Sequence, residues 1–571
     1  MRPMNMKNAT CKTQLLLTLI VAVTLWLAPA AFAAAPGITG TSAAGTTTAA
    51  TFSLTAQDSY LNQPDGSAVY SWGYGCVANS TPDFVPKAPF AFAATCPTMQ
   101  VPGPTMVVTE GATVTINLTN NLPTAAGNTS ILFPGFIVTT SCSAATPAGA
   151  QGLLTCEAAP GATITYTFTA SEAGTHPYYS GTQGDLQIEM GLYGAIIVLP
   201  SNPPAACDTT LTNLYGKADF GTTNGIPGFP EHDFRLAHAA YDHPKSCYDR
   251  EYLFQWAEMD ARIHKEALAQ VQAKVGCVAG APGCSLDVQT EPYHPAYFLI
   301  NGRSMPDLMD PNYASEYPHQ PYNGNPHMHP GEMTLIRTIG QGRWQHPFHE
   351  HANHVRILSR DGNLVLSPTN PTSSLSGLLM FNTDTTPGES FDGIFYFSGR
   401  GLNWDAFGHH PAGTTNTNTA VQPDPLASVS CTPDANGYNT GNPSALNYYE
   451  WCQDHNKPVQ VSPFGDVGTG GPITFPDPDV FTNGAWYGGS PYFGPDATLR
   501  ASHAACDTTT NANCTDLLPS NVQANPSSER GWAFMWHSHN EREITTNNVF
   551  PGGMLMMMLV DSREFAIDES N

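Results

Sequence analysis

Nineteen histidines are spread unevenly along the chain, and two clusters have the types and spacing of a metal site. In HPFHEHANH, His346, His349, His351 and His354 fall within nine residues after a strand-like run; in WHSH, His537 and His539 repeat the i, i+2 relation. Side chains two apart on a strand leave from the same face, so each HxH can meet one ion from one side. Two such strands brought together supply four imidazoles, a donor set that suits copper or zinc. Neutral imidazole is a borderline-soft ligand and brings no negative charge to bury. A lone HxH in a β protein is more often a solvated or hydrogen-bonded pair, but four histidines in nine residues with a second HxH point to a metal.

Other candidates read more blandly. His327 and His329 in NPHMHPGE lie in a Pro/Gly-rich loop and read first as a turn, and His176 in THPYYSG as a partly buried strand histidine. The run Met554, Met556, Met557 and Met558 reads as a buried strand with plastic packing before a copper(I) trail. The cupin pattern needs a Glu a few residues beyond its HxH, where this chain has Val355 and Arg356. No GxSxG, HExxH or P-loop occurs, so serine hydrolase, zincin and nucleotide chemistry lack their residues.

The elements that must carry these residues are strands. Val114, Ile116 and Leu118 alternate with Thr113, Thr115, Asn117 and Thr119 in a half-buried strand pattern, followed by ATITYTFTASEAG and a run ending in GAIIVLP. Residues 50–200 therefore form an all-β unit after a Thr/Ala/Gly-rich spacer at 34–50. Residues 201–247 read as a linker. A second β unit opens with REYLFQWAEMD, and Asp260 caps a helix over ARIHKEALAQVQAKV that Gly276 closes. Strands resume at AYFLINGR, MTLIRTIG, VRILSRDG and FDGIFYFSG within 248–401, and the unit closes at 528–571 with GWAFMWHSH and GGMLMMMLV. Residues 402–527 are rich in Gly, Pro, Asn, Thr and Asp and form a loop-rich, disulfide-pinned insertion.

Composition bounds the function. The 571 residues hold 47 acidic against 22 basic side chains, a formal charge of −25, so a phosphate backbone would be repelled and nucleic acid is excluded as a partner. Charged residues are 12% of the chain, about half the usual share of roughly 25%, while 51 Gly and 49 Pro favour turns over amphipathic helices. Arg2, Lys7 and Lys12 precede an apolar stretch from Leu15 to Leu27 and the small-residue pattern Ala31-Phe32-Ala33, an export signal over residues 1–33 too short to span a bilayer. The expected location is periplasmic or secreted, with no membrane insertion. Beyond Cys11, twelve cysteines fall into the couples Cys76/Cys96, Cys142/Cys156, Cys207/Cys247, Cys277/Cys284, Cys431/Cys452 and Cys506/Cys514. They allow up to six loop-closing disulfides in an oxidising compartment.

The chain resembles the multicopper oxidases. PGPTMVVTEGATVTINLTNNLP is similar to that family's first-domain entry strands and GTHPYYSGTQGDLQIEMGLYGAIIV to the same domain's closing strand. HPFHEHANHVRILSRDG is similar to its HPxHLHGH region, and WHSHNEREITTNNVFPGGML to its HCHxxxHxxxxGM close. The resemblance implies cupredoxin-like Greek-key β-sandwich domains, the second with the helix and the insertion, and copper as cofactor. It also exposes departures. Ser538 stands where the family has the Cys of its blue copper, Glu543 where it has the following His, and only His346 and Met554 remain of that centre. Leu132 to Gly135 and Tyr179-Ser180-Gly181-Thr182 replace the first domain's HxHG and HSH. The resemblance therefore implies a reduced site of His349, His351, His537 and His539, with help from His354, Glu350 or Glu541, with Glu350, Glu541 or Glu543 orienting the ligands or accepting protons, and no blue copper. The expected protein is a copper-dependent oxidoreductase with a small-molecule or metal-ion substrate, or a non-catalytic metal-binding or interaction protein on a cupredoxin scaffold.

Overall fold

A computed structural model describes residues 35–41, 48–80, 82–85, 96–142, 149–207, 234–397, 430–435, 438–442, 452, 489–492, 531–561 and 567. The export signal, most of the insertion at 402–527 and the couple Cys506/Cys514 lie outside them. The alternating run at Thr113–Asn120 is a strand that buries Val114, Ile116 and Leu118, and its ladder with Thr163–Thr169 sets Phe168, Tyr166 and Ile164 against those residues. These two strands sit in a sheet ordered Ala68–Cys76, Ala49–Asn62, Thr113–Asn120, Thr163–Thr169, Thr139–Thr140. A second sheet runs Gly174–Tyr179, Tyr193–Leu199, Met106–Thr109, Gly37–Thr39, Asp83–Val85. Ile38, Met106 and Ile196 of one sheet share a core with Phe52, Ile116 and Tyr166 of the other, which makes the first β-sandwich.

Composition misleads at the start of this unit. The spacer read at 34–50 contains the strand Gly37–Thr39, hydrogen-bonded between Met106–Thr109 and Asp83–Val85. Its small residue is required there, since a Cβ on Gly37 would lie 2.7 Å from Val107 Cγ2 and 2.8 Å from Thr105 O.

The second sandwich is larger. One sheet runs Tyr297–Ile300, Arg250–Met259, Met333–Gly340, Ser390–Tyr396, Val355–Arg360, Asn363–Leu364. The facing sheet runs His327–Met328, Leu555–Asp561, Gly531–Ser538, His346–Glu350, Asn382–Thr385. Between them pack Phe254, Trp256, Phe395, Phe348, Trp532 and Trp536 with Met554, Met556 and Met558. Three members of the methionine run are thus core, and Met557 between them is half-buried. From the insertion, Gly489–Tyr492 pairs along Gly531–Ser538, and Cys431 is bonded to Cys452. Four further couples are also joined, Cys76–Cys96, Cys142–Cys156, Cys207–Cys247 and Cys277–Cys284.

The helix Ala261–Ala273 forms where expected, but it serves the other unit. Asp260 caps it by accepting from Arg262 N at 2.9 Å, and Gly276 follows its end at φ +79°. Its buried Ile263 and Ala267 join the core of the first sandwich, and His264 Nδ1 donates to Tyr70 O at 2.6 Å. The end of the stretch read as a linker is likewise packed, with Tyr241 buried beside Leu335 and Leu358. Among the described residues no helix is long and apolar enough to cross a membrane.

Asp260 also accepts from His294 N at 2.9 Å. Asp260→Ala therefore removes a cap and a loop anchor together and is expected to lower stability by about 1–2 kcal/mol. Denaturant unfolding followed by circular dichroism measures this, and an unchanged midpoint would contradict it.

Candidate metal centre

Two neighbouring strands position the histidines. His346–Glu350 pairs antiparallel with Gly531–Ser538 in the register Phe348↔Ser538, His349↔His537, Glu350↔Trp536. The pleat then sorts each strand into two faces. His346, Phe348, Glu350, Trp536 and Ser538 point into the core and are fully buried, while His349, His351 and His537 on the other face are half-buried.

On that outer face four imidazoles gather. Ring centroids of His349 lie 4.8 Å from His351, 5.4 Å from His537 and 4.8 Å from His539. Those of His351 and His537 are 5.3 Å apart, and their Nε2 atoms 3.3 Å. One ligand nitrogen from each of His349, His351 and His537 lies within 4.8 Å of the others. An ion with metal–nitrogen bonds of about 2.0–2.1 Å holds its ligands at most about 4.2 Å apart, so small ring rotations close this set. His539 is exposed at the open side.

Backbone carbonyls fix the tautomers. His349 Nδ1 is 2.6 Å from Phe381 O and His537 Nδ1 is 2.7 Å from Ser538 O. A carbonyl can only accept, so both rings carry their proton on Nδ1 and offer Nε2 to an ion, the arrangement that outer partners impose on metal-binding histidines. Burial, opposed by the Phe381 carbonyl and helped by repulsion from His351, His537 and His539, pushes the His349 imidazole down to about 4. Burial likewise lowers His537. The rings are held neutral, with lone pairs available at neutral pH.

His346 stands elsewhere. It is buried between two carboxylates, with Nδ1 2.8 Å from Glu543 Oε2 and Nε2 2.9 Å from Glu258 Oε2. Burial opposes its charge, but those hydrogen bonds and charges prevail and push it up to about 9. Ser538 Oγ donates to Glu543 Oε2 at 2.6 Å. At the positions that match the family's blue-copper centre, the chain thus holds an imidazolium, two carboxylates and a hydroxyl, with Met554 packed in the core. His354 is also apart, its ring 5.2 Å from Phe381 and edge-on to it.

The carboxylates named beside the site divide in the same way. Glu350 faces the core, where burial pushes its carboxyl well up and Thr383 Oγ1 donates to it at 3.2 Å. Glu541 is exposed, and Glu543 belongs to His346. The other candidate histidines take ordinary partners: His327, which lies in the buried strand His327–Met328 and not in the expected turn, has Nδ1 2.7 Å from Asp561 Oδ2, His329 Nδ1 donates to Asp561 O at 3.1 Å, and His176 is a buried strand histidine packed on Phe136. In the first sandwich Leu132 and Tyr179 pair by their backbones, and a cavity of about 300 Å³ beside them is lined by Ile131, Phe133, Phe136, Val138 and Leu154. Glu258 escaped sequence reasoning, though an acid flanked by apolar residues in the strand stretch WAEM is a signal that a buried partner exists.

Residues 94–203 match the family model described as multicopper oxidase. L-ascorbate oxidase of Brassica rapa subsp. pekinensis is 37% identical over 103 residues, which are 17% of this chain and 16% of that protein. Laccase-2 of Botryotinia fuckeliana is 36% identical over 134 residues, 23% of this chain and 20% of its own. The alignments thus span a fifth or less of the relatives' lengths. Among solved structures, the multicopper oxidase mgLAC aligns over 89% of this chain and 85% of its own at 13% identity, with a TM-score of 0.40. Residues 94–203 are thus multicopper-oxidase-like in sequence. By sequence this chain's matched stretch is similar to laccases and an ascorbate oxidase.

With His346 raised above its ordinary value near 6.5, its ion pairs contribute in full below that value and are lost as pH rises through about 9. Imidazole NMR is expected to find this ring protonated at pH 8, and urea unfolding to show the difference between wild type and His346→Gln shrinking from pH 6 to pH 10. A neutral ring at pH 7 would contradict the assignment.

Proposed function

We propose that this is a secreted copper-binding protein with an imidazole-only site and no blue copper centre, acting as an oxidoreductase on a small-molecule or metal-ion donor. The observation that carries the reading is the convergence of His349, His351 and His537 on one point, with the Nδ1 protons of His349 and His537 turned away onto carbonyls. His539 stands at the rim, 4.8 Å from His349 by ring centroids, within reach of a fourth position. Copper, when bound by such a set, supplies one-electron chemistry between its cuprous and cupric states. The chain's own contribution is to keep His349 and His537 neutral and oriented and to leave one side open to solvent for a donor.

Three features support the further parts of this reading. Multicopper oxidase relatives suit copper over zinc among the metals that imidazole holds. The export signal at residues 1–33, together with five formed disulfides, suits an oxidising compartment outside the cytoplasm. Ser538 is committed to Glu543, so among the described residues no thiolate stands beside the cluster to hold or tune a blue copper.

That last observation also favours a second reading, a protein that holds copper without turning over a donor. Without the thiolate, no cysteine among the described residues links the imidazole cluster to a second redox centre. Fold alone does not decide between the two readings. Oxygen uptake with phenols, cuprous and ferrous ions as donors separates them.

The purified chain is expected to take up about one copper, measured by plasma mass spectrometry, with an electron spin resonance signal of nitrogen ligands and no intense blue band. Removing an outer partner of a metal ligand costs about 10–100-fold in affinity, so His349→Ala and His537→Ala are each expected to cost at least that much. Absence of bound copper after loading, or unchanged affinity in both variants, would sink the reading.

A further inference from the structure

One carboxylate ties together the two strands that carry the imidazoles. Glu543 Oε2 accepts from Ser538 Oγ at 2.6 Å and stands 2.8 Å from His346 Nδ1, while Oε1 accepts from Asn540 Nδ2 at 2.9 Å. Ser538 lies between His537 and His539, Asn540 follows His539, and His346 opens the strand that carries His349. Backbone bonds close the same loop: Glu543 N donates to Asn540 O at 2.8 Å, Met554 N to Glu543 O at 2.8 Å, and Ser538 N to Met554 O at 3.0 Å. Gly553, at φ +61°, passes so close that a Cβ there would strike the Glu543 carbonyl.

We propose that Glu543 is the positioning residue of the imidazole cluster, acting on His537 and His539 through Ser538 and Asn540, and on His349 through His346. The proposal rests on the copper-binding reading. The strand ends at Ser538, and beyond it the main chain of His539 is joined to the neighbouring strand by N–H to Pro347 O at 2.8 Å. The buried carboxylate supplies the side-chain anchors on either side of that histidine, on the inner face, so the outer face stays clear for an ion. Ligand rings held from behind in this way keep their geometry to within the fraction of an ångström that coordination needs.

A rival account gives Glu543 the single duty of neutralising His346. Glu258 performs that duty on the other ring nitrogen at 2.9 Å, and its further partners are Arg343 N, Trp344 N and Tyr293 Oη, none of them in the 538–543 loop. Glu543→Gln and Glu258→Gln therefore each remove one carboxylate from the same imidazole, but only the first loosens the loop.

The test titrates the full-length mature protein and each variant with cupric ion, at a temperature where near-UV circular dichroism reports the native state. Glu543→Gln is expected to weaken copper binding at least tenfold and to alter the nitrogen hyperfine pattern in electron spin resonance, with Glu258→Gln shifting affinity less than threefold. Equal shifts in the two, or no shift in Glu543→Gln, would overturn the proposal. Ser538→Ala keeps both carboxylates and serves if the glutamine variant does not fold; it is expected to weaken binding at least threefold, and an unchanged value counts against the proposal. Imidazole NMR of the copper-free protein separates this idea from the metal reading. If the wild type takes up no copper, the metal reading fails by itself. Displaced His537 and His539 resonances in Glu543→Gln or Ser538→Ala then still support positioning by Glu543, and unmoved ones overturn it.

Discussion

The register between His346–Glu350 and Gly531–Ser538 is the constraint on which the site depends. Because side chains alternate along a strand, the pairing of His349 with His537 decides at once what points out and what points in. A slip of one residue would send His349 into the core and Phe348 into water. The core makes that slip costly, since Phe348, Trp536 and Trp256 pack within 4.7–5.9 Å of one another by ring centroids along the chain Trp256–Phe348–Trp536. Burial of such rings contributes about 1.5–3 kcal/mol each relative to exposure, and only one register collects it. Hydrophobic packing on the inner face thereby fixes the donor set on the outer one.

The two faces handle positive charge in opposite ways. Outside, partial burial with repulsion from the neighbouring imidazoles lowers His349 and His537, and carbonyls turn the Nδ1 protons of these two rings away from the shared point. Inside, a single imidazole lies between Glu258 and Glu543 and holds its proton. A buried charge is tolerated when it is paired and hydrogen-bonded, and here both ring nitrogens and the hydroxyl of Ser538 meet carboxylate oxygens. The same residue type thus offers lone pairs on one face and holds its proton on the other, according to what the neighbouring elements present.

A second buried network joins the sandwiches. Arg337 donates to Glu251 at 2.9 Å and to Thr175 Oγ1 at 3.1 Å, Thr175 donates to Asp392 at 2.6 Å, and Tyr241 donates to the other oxygen of Asp392 at 2.5 Å. Thr175 belongs to the first unit, Arg337 and Asp392 to the second, and Tyr241 to the stretch between. The helix Ala261–Ala273 crosses in the other direction and seals the first core. Domain boundaries drawn along the sequence are therefore crossed twice by packing, because an apolar helix face goes to whatever core remains open to it.

Alternation and spacing alone revealed the strands at Thr113–Asn120, Met333–Gly340 and Gly531–Ser538, the helix with its Asp260 cap, and the two HxH pairs, because period-2 burial, capping and same-face projection are local rules. Five of the cysteine couples were legible for the same reason, each joining neighbours in the chain. The strand Gly37–Thr39 was hidden, since its glycine answers to a close approach by Val107 that no local pattern records. Within HPFHEHANH, the residue types made His346, His349, His351 and His354 equivalent candidates. Only the tertiary structure separated them, because whether an imidazole takes a proton or offers a lone pair depends on what faces it. Glu258 and Glu543 arrive at His346 from 88 and 197 residues away, while His537 arrives at His349 across a strand ladder.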